Sequence, residues 1–301
     1  VQQTFHGSVH EMSIEDTAAG PYAVATGADG ALWMTLVHAG EIARLTPDGH
    51  LDRYPLAPGS MPSIIVPGPD DALWFTMNRA NAIGRITLDG DVTSFALPTD
   101  DSGPFGITAA ADGALWFTTI TGDSVGRITP DGEITTFALP MRGGMPSMIT
   151  PGPDDALWFT LNQADAIGRI SLDGTVTLHA LPTSGAAPVG ITCGTDGAVW
   201  FVEIGAGQIG RITPRGQVTE YPLPDRAARP HAITADPDGG CWFTEWAANR
   251  VGYVGPDGRI EEYALPTPNS EPHGLTVGPD GTVHVALEIG AIARLTRGQR
   301  P

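Results

Sequence analysis

Apolar positions in this chain come in short runs. One unit shows the pattern: Leu115-Trp116-Phe117-Thr118, then Val125-Gly126-Arg127-Ile128, then Ile134-Thr135-Thr136-Phe137-Ala138, each run separated from the next by Gly, Asp or Pro. Runs of this length, rich in β-branched and aromatic residues and bounded by turn formers, predict strands. No stretch sustains a 3.6-residue apolar period, so few helices are expected. Asp-Gly pairs at Asp48-Gly49, Asp89-Gly90, Asp131-Gly132, Asp173-Gly174 and Asp257-Gly258 supply the positive φ of tight hairpin turns.

The runs recur. Trp33, Trp74, Trp116, Trp158, Trp200 and Trp242 follow one another at 41 and then 42 residues, and His284 takes the seventh place. Each unit reads Pro-x-x-Ile, Asp-Gly-x-Leu-Trp-Phe-Thr, Ile-Gly-Arg-Ile and a fourth strand. Four strands at this period are the signature of a propeller blade, so seven units predict an all-β, seven-bladed β-propeller. The seventh unit stops at Arg294-Leu295-Thr296 without a fourth strand. Val9-His10-Glu11-Met12-Ser13-Ile14 matches the fourth-strand segment Val218–Leu223. Residues 1–14 are therefore expected to complete the last blade and close the ring, with residues 1–301 forming one domain. An open solenoid would instead need polar capping repeats, and none is present.

Composition adds limits. The 301 residues carry 34 acids against 16 basic residues, all of them Arg, for a formal charge of −18. Such a surface repels phosphate backbones, so nucleic acid is not an expected partner. No run approaches the roughly 18 apolar residues of a membrane span. Cys193 and Cys241 suggest no disulfide framework, which favours a reducing, cytoplasmic setting. The residues after Val1 show no signal-like run, although a leader removed before Val1 would leave the same sequence. A monomer is expected.

Chemistry is sought where units depart from the repeat. The residues after the repeat Pro are Tyr22, Ser63, Phe105, Ser147, Val189, His231 and His273, a predicted ring around one channel mouth. Residues just past the Trp-Phe-Thr strand should lie near it, among them Glu203, Glu245, Trp246, Val37-His38 and Glu288. Closure of the ring makes units six, seven and one neighbours. They contribute His231, Glu271, His273, Glu288, Glu245, Trp246 and Tyr22, whereas the other units offer mainly Ser, Phe, Val, Asn and Gln, a platform for a bulky ligand. Each candidate has a plain structural reading as well. His273 could be a satisfied packing histidine, Glu271 and Glu288 solvated loop carboxylates, and Tyr22 and Trp246 ordinary packing aromatics. His284 reads as packing in the Trp slot, and His6, His10, His38, His50 and His179 show no comparable setting. Two carboxylates beside an imidazole suit a hard divalent cation such as Mg²⁺ better than Zn²⁺. No Gly-x-Ser-x-Gly elbow, Walker loop or Cys-x-x-Cys occurs.

At these residues the chain resembles the virginiamycin B lyase (streptogramin B lyase) family, through Arg229-Pro230-His231-Ala232-Ile233-Thr234, Glu271-Pro272-His273-Gly274-Leu275-Thr276 and Ala286-Leu287-Glu288 set in seven blade units. The resemblance implies an enzyme of antibiotic resistance that opens type B streptogramins, which are cyclic depsipeptides, by elimination at the threonyl ester C–O bond rather than by hydrolysis. It implies His273 as the acid–base residue, Glu271 and Glu288 as Mg²⁺ ligands, and His231 as a substrate contact. Tyr22 and Trp246 join the substrate contacts through their places in the ring. A metal-dependent lactone hydrolase and a non-catalytic binding propeller are the alternatives.

Overall fold

The structure is a computed structural model that describes residues 8–14 and 16–296. Its 28 strands form seven four-stranded antiparallel sheets, the predicted propeller blades. Among the described residues no helix is long and apolar enough to cross a membrane. In the last blade, Pro272–Val277, Val283–Leu287 and Ala291–Thr296 are joined by the N-terminal strand Ser8–Ser13. Val9 lies opposite Leu295 and Met12 opposite Ile292. Ile14, expected in the strand, lies just past it, with its N–H on the Gly290 carbonyl at 3.0 Å.

Blades 1 to 6 are each built around a Trp. In blade 2 the Trp74 indole N–H donates to Asp70 Oδ1 at 2.9 Å, Arg85 Nε binds Asp70 Oδ2 at 2.6 Å, and Phe95 stacks on the indole at 5.6 Å between centroids. The same Asp–Trp–Arg arrangement occurs in blades 1, 3, 4 and 5. The buried indole N–H is thus satisfied by a charge that is itself paired. Gly in Ile-Gly-Arg-Ile has a steric cause: a Cβ on Gly126 would come within 2.1 Å of the Phe117 ring.

Two repeated devices shape the channel mouth. Every inner strand carries a bulge just after its Pro; in blade 7 the register passes from Pro272↔Leu287 to Leu275↔Val285. The extra residue lifts the position after Pro out of regular pairing, which re-aims its side chain. The second device joins neighbouring blades. The Thr of Trp-Phe-Thr donates to the backbone carbonyl of the residue after Pro in the next blade: Thr35 to Ser63 at 2.8 Å, Thr76 to Phe105 at 2.7 Å, Thr160 to Val189 at 2.7 Å and Thr244 to His273 at 2.9 Å. Thr118 does the same to Ser147. Val202 and Ala286 hold the equivalent positions in blades 5 and 7 and have no hydroxyl.

Candidate active site

The regular backbone places the two candidate carboxylates together. In blade 7 the Glu288 N–H donates to the Glu271 carbonyl at 3.2 Å. The same bond joins Val37 to Gly20, Asn78 to Met61, Ile120 to Gly103, Asn162 to Met145 and Trp246 to Arg229. The scaffold thus pairs these two positions blade after blade, and in blade 7 both are Glu. Glu271 sits at φ 50°, a left-handed conformation shared by all seven residues preceding the repeat Pro.

His273 lies beside them, with its Nε2 2.5 Å from Glu288 Oε2. One potential ligand atom from each of Glu271, His273 and Glu288 can be chosen so that all three lie within 4.8 Å of one another. The imidazole is buried, at 7% exposure, and does not line an open mouth as the sequence suggested. Tyr22 covers it at 4.6 Å between ring centroids, and His231 meets it edge-on at 4.8 Å. Tyr22 also approaches Phe105 of blade 3 at 6.3 Å, and its hydroxyl lies 3.4 Å from His231 Nε2. Beneath these rings an apolar channel of about 300 Å³ runs between the inner strands, lined by Ile65, Ile107, Ile149, Ile191, Ile233 and Leu275.

Burial sets the protonation states. It pushes His273 below the usual histidine range, against the pull of Glu288. Burial, reinforced by His273, pushes His231 down to about 3. Tyr22 is raised well above the ordinary phenol range by burial and by the Glu288 charge. Burial opposes ionisation of Glu288, but hydrogen bonds from His273 and His38 outweigh it and hold its carboxyl below the usual range. At neutral pH the site therefore holds two neutral imidazoles, a protonated phenol and an ionised carboxylate. It can move a proton and bind a cation.

The structure brings together Tyr22, His231, Glu271, His273 and Glu288. Trp246 occupies in blade 6 the place that Glu288 occupies in blade 7, half-buried, with an indole N–H that is buried and lacks a hydrogen-bond partner. Glu203 and Glu245, expected near the mouth, are fully buried strand-end residues. Glu203 Oε2 accepts from Gln208 at 2.6 Å, and burial raises its carboxyl to about 7. Burial and the neighbouring Glu262 raise Glu245, with Arg250 Nη1 3.7 Å away. His38, which the sequence places near the mouth but not among the chemical candidates, has its Nε2 2.6 Å from Glu288 Oε1 across the junction of blades 7 and 1. Its signal was the same kind of departure: the equivalent residues are Arg79, Thr121, Gln163, Gly205, Ala247 and Ile289. His6 lies outside the described residues.

Fold and site together define a propeller with a cluster of carboxylates and imidazoles at one end of its channel. A family model for the virginiamycin B lyase family matches residues 7–295, and the chain belongs to that family. A virginiamycin B lyase of Mycobacterium sp. (strain KMS) is 59% identical over 51 residues, a stretch spanning 17% of this chain and only 18% of that relative. The solved selenomethionine-substituted virginiamycin B lyase from Staphylococcus aureus superposes with a TM-score of 0.94 at 43% identity, covering 97% of this chain and 99% of that one. A catalytically inactive histidine-to-alanine variant of the S. aureus lyase, solved with quinupristin, is equally similar in fold, with a TM-score of 0.94 at 42% identity and the same coverage.

Proposed function

We propose that this protein linearises type B streptogramin depsipeptides by elimination at the threonyl ester, in a reaction that requires Mg²⁺, and so confers resistance to them. The observation that carries the reading is the Glu271–His273–Glu288 cluster in a chain that belongs to the lyase family over residues 7–295. The solved S. aureus relative with quinupristin, inactive through loss of one histidine, supports an indispensable imidazole.

The residues fit a magnesium ion. Two carboxylates offer hard oxygen donors from one blade, and water can complete the coordination. When bound, Mg²⁺ would supply positive charge that polarises a carbonyl oxygen and stabilises developing negative charge. Glu271 and Glu288 would hold it. His273 would take the α-proton of the threonyl unit. The C–H electron pair then forms the Cα=Cβ bond, the Cβ–O bond breaks, and its electrons leave on the carboxylate. Atoms balance without water. As an acceptor-only group, the ionised Glu288 takes the Nε2–H of His273, so that nitrogen serves as a base only when released from Glu288. His231 and Tyr22, neutral and packed against His273, would hold the substrate over it, with Trp246 as an outer wall.

A lactone hydrolase that gathers ligands from several blades around the axis is disfavoured by the placement of both carboxylates in blade 7. The test is mass analysis of a type B streptogramin after incubation with protein and Mg²⁺. A ring-opened product with the mass of the intact antibiotic is expected. A product heavier by one water would make the protein a hydrolase, and recovery of cyclic antibiotic alone would overturn the reading.

A further inference from the structure

We propose that His38 is a positioning residue for the metal ligand Glu288, and that Gly20 exists to seat it; this rests on the Mg²⁺ reading above. Glu288 is held between two imidazoles. His273 takes Oε2, and His38, arriving from blade 1, takes Oε1 at 2.6 Å. A carboxylate accepts only, so both ring nitrogens donate. His38 stands outside the group formed by Glu271, His273 and Glu288. It therefore grips the carboxylate from outside and fixes its rotation, leaving the other oxygen turned toward Glu271 and His273.

Gly20 supplies the independent observation. A Cβ there would fall 2.3 Å from His38 Cδ2 and 2.9 Å from Cγ. The backbone alone does not demand glycine at this place. Met61, Met145, Ala187, Arg229 and Glu271 occupy it in other blades with φ between 47° and 53°, against 67° for Gly20. The missing side chain makes room for the imidazole. The His38 N–H is fixed in turn on the Ala19 carbonyl at 3.1 Å.

The ring is 55% exposed, and an exposed ion pair of this kind adds little to stability. The expected effect is therefore on the ligand. Partners that orient a metal-ligating carboxylate typically account for 10–100-fold in metal affinity. Calorimetric titration of the substrate-free protein with Mg²⁺ tests this with a readout independent of turnover. His38→Ala is expected to weaken binding by roughly 10–100-fold with the metal-free Tm unchanged, and His38→Gln, which keeps an N–H donor, to recover most of the loss. Gly20→Ala should reproduce the loss by displacing the ring, and the double variant should bind no more weakly than either single one. Wild-type affinity in His38→Ala, alongside lost binding in Glu271→Gln, would overturn the role of His38 and leave the metal reading standing. No Mg²⁺ uptake by the wild type would overturn both.

Discussion

Thr244 is the sharpest place to separate the ring from the chemistry. Its hydroxyl accepts from the Ala232 N–H at 3.0 Å and donates to the His273 carbonyl at 2.9 Å. Thr244→Val keeps the volume and removes both bonds. Each buried group left without a partner costs about 1–3 kcal/mol, so for the two groups a total of about 2–6 kcal/mol is expected. Unfolding entropy is about 2.1 cal/mol/K per residue near 60 °C, or ~0.6 kcal/mol/K over 301 residues, so Tm should fall by roughly 3–10 °C. Thr160 makes the same two bonds in blade 4, from Met148 at 3.1 Å and to Val189 at 2.7 Å. Thr160→Val should therefore cost the same Tm. The two variants should part in catalysis. Only Thr244 steadies the backbone under His273, and loosening a reacting group by a fraction of an ångström to an ångström costs roughly 10–100-fold. Thermal melts and kcat on a type B streptogramin measure both quantities. Equal kcat for the two variants, with the Tm losses present, would refute the claim that the inter-blade threonine positions the imidazole.

His273→Ala should fold normally and lose at least roughly 10²-fold in turnover, the lower range for a positioned base, as read by product mass and circular dichroism. Burial pushes His284 down to about 4, whereas its unfolded value lies near 6.5; the unfolded chain binds the extra proton in that window, so stability falls as pH drops through it. His284→Phe should remove up to about 3 kcal/mol of that acid loss in denaturant titrations at pH 7 and pH 4. Glu203 runs the other way: with its carboxyl raised from 4.5 to about 7, the folded protein holds the extra proton, and stability falls as pH rises across that window. Glu203→Gln should flatten this fall between pH 4.5 and about 7 by up to about 3 kcal/mol, and an unchanged pH profile would show that the buried carboxyl is not the cause.

The blades and the closing strand were legible because period and turn chemistry repeat, and a repeat that ends one strand short points to its missing partner. Tyr22, His231, Glu271, His273 and Glu288 were legible as departures from that repeat at positions that the architecture places at one end. The depth of His273 was not. A sequence shows that a position faces the channel, but the stacking of Tyr22 over it is a property of two side chains from different blades. Glu203 and Glu245 misled for a related reason. They end strands near the mouth, yet those strands are buried along their whole length and both of their faces are covered. The place of His38 near the mouth was legible, but its bond to Glu288 was not, because an exposed ring on a turn is directed by side-chain geometry across the blade junction.

The strand that locks the ring has a consequence in time. Tyr22 and His38 are synthesised well before Glu271, His273 and Glu288, and the two groups meet across the junction of blades 7 and 1, in the ring that the pairing of Ser8–Ser13 with Ala291–Thr296 closes. A nascent chain that stops short of blade 7 cannot hold the complete constellation, so activity requires that blade. A circular permutant opened between blades 3 and 4 would carry blades 7 and 1 as continuous polypeptide and move the last event of assembly away from the chemistry.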